Sequence, residues 1–306
     1  MNDLGNEVVA MACSNDSVVI DHVRKRTYPT TDDIMGDALK TGGRRVRKLD
    51  EVIARRLRQR PPEDCTVVPR STPVIAFGRF RRARVATISL NPSHREFEEV
   101  RGERRFHTLE TLGIADYREL GQEHAIRILD YCERYFERGI YYADWFDRVN
   151  WIVREATGAD YFDGSACHLD ISQWATMTVW SGLTARQRMA ITSETDLEVV
   201  RELIAEGPYE ILLLNGKKTA LEVLNVLGSS YEKKILRHSH KTENGRRRST
   251  VEGYFAAIDT LLGTPLGRTI RIFGWNVYAK YAGQDSLDLI KDWIRGSRDF
   301  AQHVQV

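Results

Sequence analysis

Apolar positions along the chain fall into two rhythms. Short apolar runs of strand length occupy residues 74–77, 85–90, 166–171, 210–214 and 269–273, while apolar residues at helical spacing fill 117–138, 145–157, 196–206, 219–227, 250–262 and 286–295. Strands alternating with helical stretches predict an α/β fold: three layers, with an open, mostly parallel sheet of four to five strands and helices on both faces. Ahead of this lies a different region. Residues 1–40 are weakly patterned, and then Val46, Leu49, Ile53 and Leu57 recur at helical spacing between residues 44 and 60, where Pro61-Pro62 closes the helix. The expected division is an N-terminal extension carrying this amphipathic helix, 1–65, and an α/β domain, 66–306. No internal repeat or low-complexity tract interrupts it.

Charge changes this picture more than composition does. The 306 residues carry a net charge of only +2, yet the positive charge is clustered. Arg44, Arg45, Arg47, Lys48, Arg55, Arg56, Arg58 and Arg60 face only Asp50 and Glu51 in the amphipathic helix. A second cluster is Arg79, Arg81, Arg82 and Arg84, and a third runs from Arg237 to Arg248 through His238, His240, Arg246 and Arg247 in a stretch that reads as a loop. Three basic clusters in a nearly balanced chain point to a polyanionic partner. Other classes lack support. The four cysteines, Cys13, Cys65, Cys132 and Cys167, lie far apart without a CxxC pair, so they read as buried free thiols and not as a zinc or iron–sulfur site. Neither GxGxxG nor GxxxxGK[ST] occurs. No run approaches the roughly 18 apolar residues of a membrane span, and the N-terminus does not read as a signal peptide. The expectation is a cytoplasmic protein without a cofactor.

Candidate chemistry gathers where the apolar runs stop. Residues 85–90 end at Asn91-Pro92-Ser93, residues 166–171 contain His168 and Asp170, residues 210–214 run into Asn215-Gly216-Lys217, and residues 269–273 run into Gly274-Trp275-Asn276. In an open α/β sheet, ligands sit beyond the carboxyl ends of the strands, so each of these positions is placed to meet one. Taken together, over residues 72–295, they resemble the uracil-DNA glycosylase superfamily. In that family a GxDPY or GxNPG-like motif follows the first core strand, here Asn91-Pro92-Ser93. A base-reading residue lies in the second, and a base-contacting, DNA-inserting motif follows the last. The third strand is followed by a glycine and a small residue opening a helix, matched here by Gly216 and Ala220. The family's HPSP-like final motif is not visible.

The resemblance implies a DNA glycosylase acting on double-stranded DNA by base flipping, and it assigns roles. Asn91 holds the water that attacks the sugar, or else caps its own turn. Phe97 or Phe106 supplies the plane on which the base stacks, or either is plain core. Asp170 falls where uracil-excising members carry Asn. An ionised carboxylate only accepts, which suits the exocyclic amine of cytosine, unless Asp170 is instead paired with His168 or Arg84. Ser93 stands where the family's Tyr closes off carbon 5, and a serine leaves room for a substituent there. These features together favour a 5-substituted cytosine, hydroxymethylated or glucosylated, such as members active in phage defence excise. Asn276, or alternatively His238 or His240, contacts the leaving base. Tyr278 and Lys280 follow the last strand as a loop able to enter the duplex, and Lys217 meets phosphate.

Overall fold

A computed structural model of the chain describes residues 48–63, 65–242, 244–245 and 247–302. Arg44, Arg45, Arg47 and Arg246, expected to meet DNA, lie outside the described residues, as does Cys13. The described residues belong to one compact unit organised around a six-stranded sheet. Four of its strands are parallel: β1 (Val85–Ser89), β2 (Ala166–Asp170), β3 (Ile211–Asn215) and the carboxyl half of β6 (Thr264–Trp275). Between β3 and β6 the chain adds β4 (Glu232–Arg237) and β5 (Val251–Leu261), which complete the order β2-β1-β3-β6-β5-β4. β5 runs antiparallel to both its neighbours. The parallel strands read as unbroken apolar runs because both of their faces are covered. Beyond β2, residues 74–77 form no ladder strand; Phe77 alone bridges His168, exchanging N–H···O bonds of 2.8 and 2.9 Å.

The sheet is larger than the four to five strands expected because residues 250–262, expected as helix, form β5, and residues 232–237, where no element is expected, form β4. A two-residue turn, Leu262-Gly263, closes the β5–β6 hairpin with both residues at positive φ, 49° and 81°. This is the backbone that a hairpin twisting in the normal sense requires at both turn positions. Gly253 in β5 has its own reason: a Cβ there would come within 2.8 Å of the Trp293 ring.

Helices α1 (Lys48–Leu57), α2 (Gln122–Glu133), α3 (Ala143–Thr157), α4 (Glu194–Glu206), α5 (Lys217–Val226) and α6 (Gln284–Gln302) make the outer layers. The expected helix over 117–138 resolves into a 3-10 turn, Tyr117–Glu119, followed by the shorter α2. α3 and α6 cover one sheet face, where Phe146 meets His168 at 5.3 Å and Trp293 meets Phe273 at 5.4 Å between ring centroids. α5 covers the other, held so close at Gly274 that a Cβ would stand 2.8 Å from that of Ala220. Among the described residues no helix is long and apolar enough to cross a membrane.

Among the described residues, members of two of the three basic clusters are paired within the fold. α1 packs on α4, with Lys48 paired to Glu202, Arg55 to Glu198 and the buried Arg56 to Asp196. Arg79, Arg81 and Arg84 precede β1, at the amino edge of the sheet, and pair with Glu137, Asp50 and Glu210. The basic flanks of α1 therefore face an acidic helix, a partner that helical periodicity within one segment does not reveal.

Candidate functional site at the carboxyl edge of the sheet

β1, β2, β3 and β6 end at the same edge, and their last side chains can be placed by register. Ser89 pairs with Asp170, Thr87 with both His168 and Leu213, and Trp275 with Asn215. Side chains alternate along a strand, so Ser89, His168, Asp170, Asn215 and Trp275 all share one face. It is the face that α3 and α6 cover.

On β2, Asp170 is buried and its Oδ1 has no hydrogen-bond partner among the described residues. His168 Nε2 stands 3.6 Å away, too far for a hydrogen bond. Behind it, a buried chain of polar atoms fixes the imidazole: Tyr161 Oη lies 2.5 Å from Thr87 Oγ1, and Thr87 Oγ1 lies 2.7 Å from His168 Nδ1. With the tyrosine donating to Thr87 and Thr87 donating to Nδ1, a singly protonated His168 carries its hydrogen on Nε2, toward Asp170. Burial raises the pKa of Asp170, and the neighbouring His168 offsets part of that rise. Of the two pairings expected for Asp170, His168 is its neighbour, whereas Arg84 is exposed and bound to Glu210.

After β1, Asn91 donates from Nδ2 to Thr176 Oγ1 at 2.8 Å and to the Pro92 carbonyl at 3.0 Å. These contacts set the amide so that Oδ1 is the end left to accept. Ser93 caps the 3-10 turn His94–Phe97, its Oγ accepting from the Arg95 N–H at 3.3 Å. Phe97 closes that turn. Phe106, the alternative stacking residue, is enclosed by other rings: it stacks on Tyr135 at 5.2 Å, meets Phe77 edge-on at 5.2 Å and has Phe97 at 6.0 Å. Both rings are buried in the core, and Phe97 is the one that borders the motif.

The same turn carries a group that sequence reasoning missed. Glu96 is buried, and its carboxylate accepts from Tyr135 Oη at 2.6 Å. Burial pushes its pKa up to about 8, with the charge of Asp170 adding to the rise and Arg105 opposing it. Its sequence context, His-Arg-Glu-Phe-Glu-Glu, reads as a solvated acidic run and gives no signal of burial.

Beyond β6, Asn276 accepts from the Glu252 N–H at 2.9 Å and donates to the Thr250 carbonyl at 3.0 Å. It ties the last strand to the start of β5, which engages its oxygen and one of its two N–H hydrogens. Asn215 is the amide left over. It is buried at the end of β3, and the sequence signal for it is the one that singled out Asn91, a polar residue stopping an apolar run. Tyr278 lies against Gly216, where φ is 100° and a Cβ would come within 2.6 Å of the ring. Lys280 Nζ stands 3.6 Å from Asp144 and 5.6 Å from the centre of the Tyr142 ring. Arg95 donates to the hydroxyl of that same Tyr142 at 3.1 Å. Lys217 is exposed at the start of α5.

His238 and His240 are exposed and precede a strand, not a helix. β4 runs in the same direction as β6, so the chain leaves it at the carboxyl edge and forms a small ribbon, with His240-Lys241 pairing Arg247-Arg248. Arg237 and Arg248 anchor this ribbon to Asp285 of α6. This cluster leaves the sheet at the same edge as Asn91 and Asp170. No protein-family model and no curated protein matches the chain.

Proposed function

We propose that the chain is a DNA glycosylase of the uracil-DNA glycosylase type, in fold as in chemistry. It flips a modified pyrimidine out of the duplex and hydrolyses its N-glycosidic bond, leaving an abasic site. The substrate that fits best is a 5-substituted cytosine, hydroxymethylated or glucosylated, as in phage DNA. The observation that carries the reading is the placement at one sheet edge of Asn91, whose Nδ2 is engaged so that Oδ1 is its accepting end, and Asp170, with a buried oxygen that lacks a partner among the described residues.

The bond breaks through an oxocarbenium-like sugar while negative charge collects on the base, by analogy with glycoside hydrolysis. Asn91 Oδ1 accepts a hydrogen bond from the attacking water and orients it; an amide is too weak a base to do more. Phe97 supplies the stacking plane. Asp170, as carboxylate, accepts from the exocyclic amine of cytosine, and the small Ser93 leaves space at carbon 5. Arg95, Lys280, Lys217 and the His238–Arg248 ribbon meet backbone phosphates, and Tyr278 borders the duplex.

A second reading, excision of uracil in repair, has one observation in its favour. Burial shifts Asp170 toward its acid form, which donates as well as accepts, as the N3–H and O4 edge of uracil demands. Mass analysis of bases released from duplexes containing uracil, cytosine, 5-hydroxymethylcytosine or its glucosylated form decides between them. Release of modified cytosine is expected. Release of uracil alone selects the repair reading, and the absence of alkali-labile abasic sites in every duplex leaves a protein that only binds nucleic acid on this scaffold.

A further inference from the structure

We infer that Asn215, through its side-chain N–H2, is the donor that takes up the negative charge of the departing base at its ring carbonyl, a role that rests on the glycosylase reading. The amide has only one possible orientation. Its Oδ1 accepts from the Trp275 indole N–H at 3.1 Å and from the Ala279 backbone N–H at 2.9 Å. Both partners are donors without accepting capacity at those atoms, so the oxygen must face them and the amine must face away. That amine, Nδ2, is buried and has no hydrogen-bond partner among the described residues. A buried donor left unpaired is costly and rare in a folded protein, and it calls for an explanation.

Its surroundings supply one. Asn215 lies on the same sheet face as Asp170, with the single strand β1 between β3 and β2. The edge thus buries one unpaired acceptor, Asp170 Oδ1, and one unpaired donor, Asn215 Nδ2. Cytosine presents the complement: an exocyclic amine at carbon 4 and, across the ring, a carbonyl at carbon 2 beside the nitrogen that leaves the sugar. When the C1′–N1 bond breaks, its electron pair passes to the base and spreads onto that carbonyl oxygen, where a fixed donor in a dry site is most effective. Water then bonds to C1′ and its released proton neutralises the base, so base–sugar plus water yields free base and sugar hydroxyl. Asn276, expected in this role, is held by the backbone of Thr250 and Glu252.

Asn215→Asp tests this cleanly, because it keeps the oxygen that Trp275 and Ala279 use and replaces only the amine. Single-turnover release is measured from duplexes carrying 5-hydroxymethylcytosine and from duplexes carrying 5-fluorocytosine, whose fluorine makes the base a better leaving group. The expected result is a folded protein whose melting temperature is lowered by the buried carboxyl group, with retained duplex binding and a rate loss of about 100-fold or more on the hydroxymethyl base. The loss should be several-fold smaller on the fluoro base, which needs less help with its charge. Wild-type rates in Asn215→Asp, or an equal loss on both bases, overturn the assignment while leaving the glycosylase reading intact. If wild-type protein releases no base from either duplex, from one containing uracil or from one containing glucosylated 5-hydroxymethylcytosine, the glycosylase reading falls and takes this role with it.

Discussion

Beneath α1 the fold buries Arg56 as deeply as it buries Asp170 at the sheet edge, but it treats the two in opposite ways. Arg56 donates from every nitrogen: Nε to Gln173 at 3.1 Å, one terminal nitrogen to Gln59 at 2.9 Å, and the other to Asp196. Asp196 is met in addition by the Ser193 N–H and hydroxyl at 3.1 and 2.5 Å, and the Arg56 guanidinium lies 4.7 Å from the centre of the Trp174 ring. Burial pushes the Arg56 pKa down and that of Asp196 up, and each partner's charge works against the other's shift. At the sheet edge Asp170 and Asn215 each keep one buried atom unpaired. A saturated polar network fastens a helix to its domain; an unsaturated one keeps its bonding capacity for a molecule that arrives later.

The sharpest way to break this contrast is Arg56→Met. It leaves Asp196 buried without its counter-ion and should destabilise the protein by about 3–5 kcal/mol, read as a fall in the urea midpoint. A loss below about 1 kcal/mol would show that α1 is held by its apolar stripe alone. Asn91→Ala should do the reverse, lowering base release by about 100-fold with little change in the melting temperature, because it removes an orienting group outside the core. Unchanged turnover would remove Asn91 from the site.

Glu96 brings pH into the comparison. Its folded pKa is raised, so between its ordinary value of 4.5 and about 8 the folded protein holds a proton that the unfolded chain has lost. Stability should therefore decline as pH rises through that window, by a few kcal/mol, and level off above it. Unfolding curves of Glu96→Gln should show a shallower decline, with the part due to the buried Glu133, whose pKa burial raises to about 7, remaining; an identical slope in the variant would assign the dependence to other groups. Asp170→Asn should leave stability level or raise it slightly while weakening release of a cytosine-type base by roughly 10- to 100-fold, since a mispaired buried group costs about 1–3 kcal/mol. The smallest effect concerns Lys48 and Arg55. Both pair with α4, so replacing them should leave the salt dependence of DNA binding unchanged, whereas replacing Arg95 or Lys280 should reduce the slope by about 0.9 per lost contact.

The parallel core was legible in the sequence because buried parallel strands are written as continuous apolar runs, and residues 85–90, 166–171 and 210–214 stand out for that reason. β5 was not, since Val251, Phe255 and Ile258 also satisfy helical spacing, and its turn is marked by Leu262-Gly263 where an Asn-Gly pair would have announced a hairpin. At the site, Asn91 and Asp170 were legible from where their strands stop. Glu96 and the engagement of Asn276 depend on packing between distant segments, and no local pattern encodes either one. The same holds for the acidic face of α4 that meets the arginines of α1.

The β5–β6 hairpin also bears on how the protein can be handled. Its Leu262-Gly263 tip is at the amino end of β6, with Leu262 exposed, and the twelve residues of that strand separate the tip from Trp275 by roughly 36 Å. A dye, an affinity peptide or a surface linker inserted at the tip would leave the opposite edge facing solution. Molecules tethered there would all present the same end to a passing duplex, which suits this turn to single-molecule observation of DNA scanning.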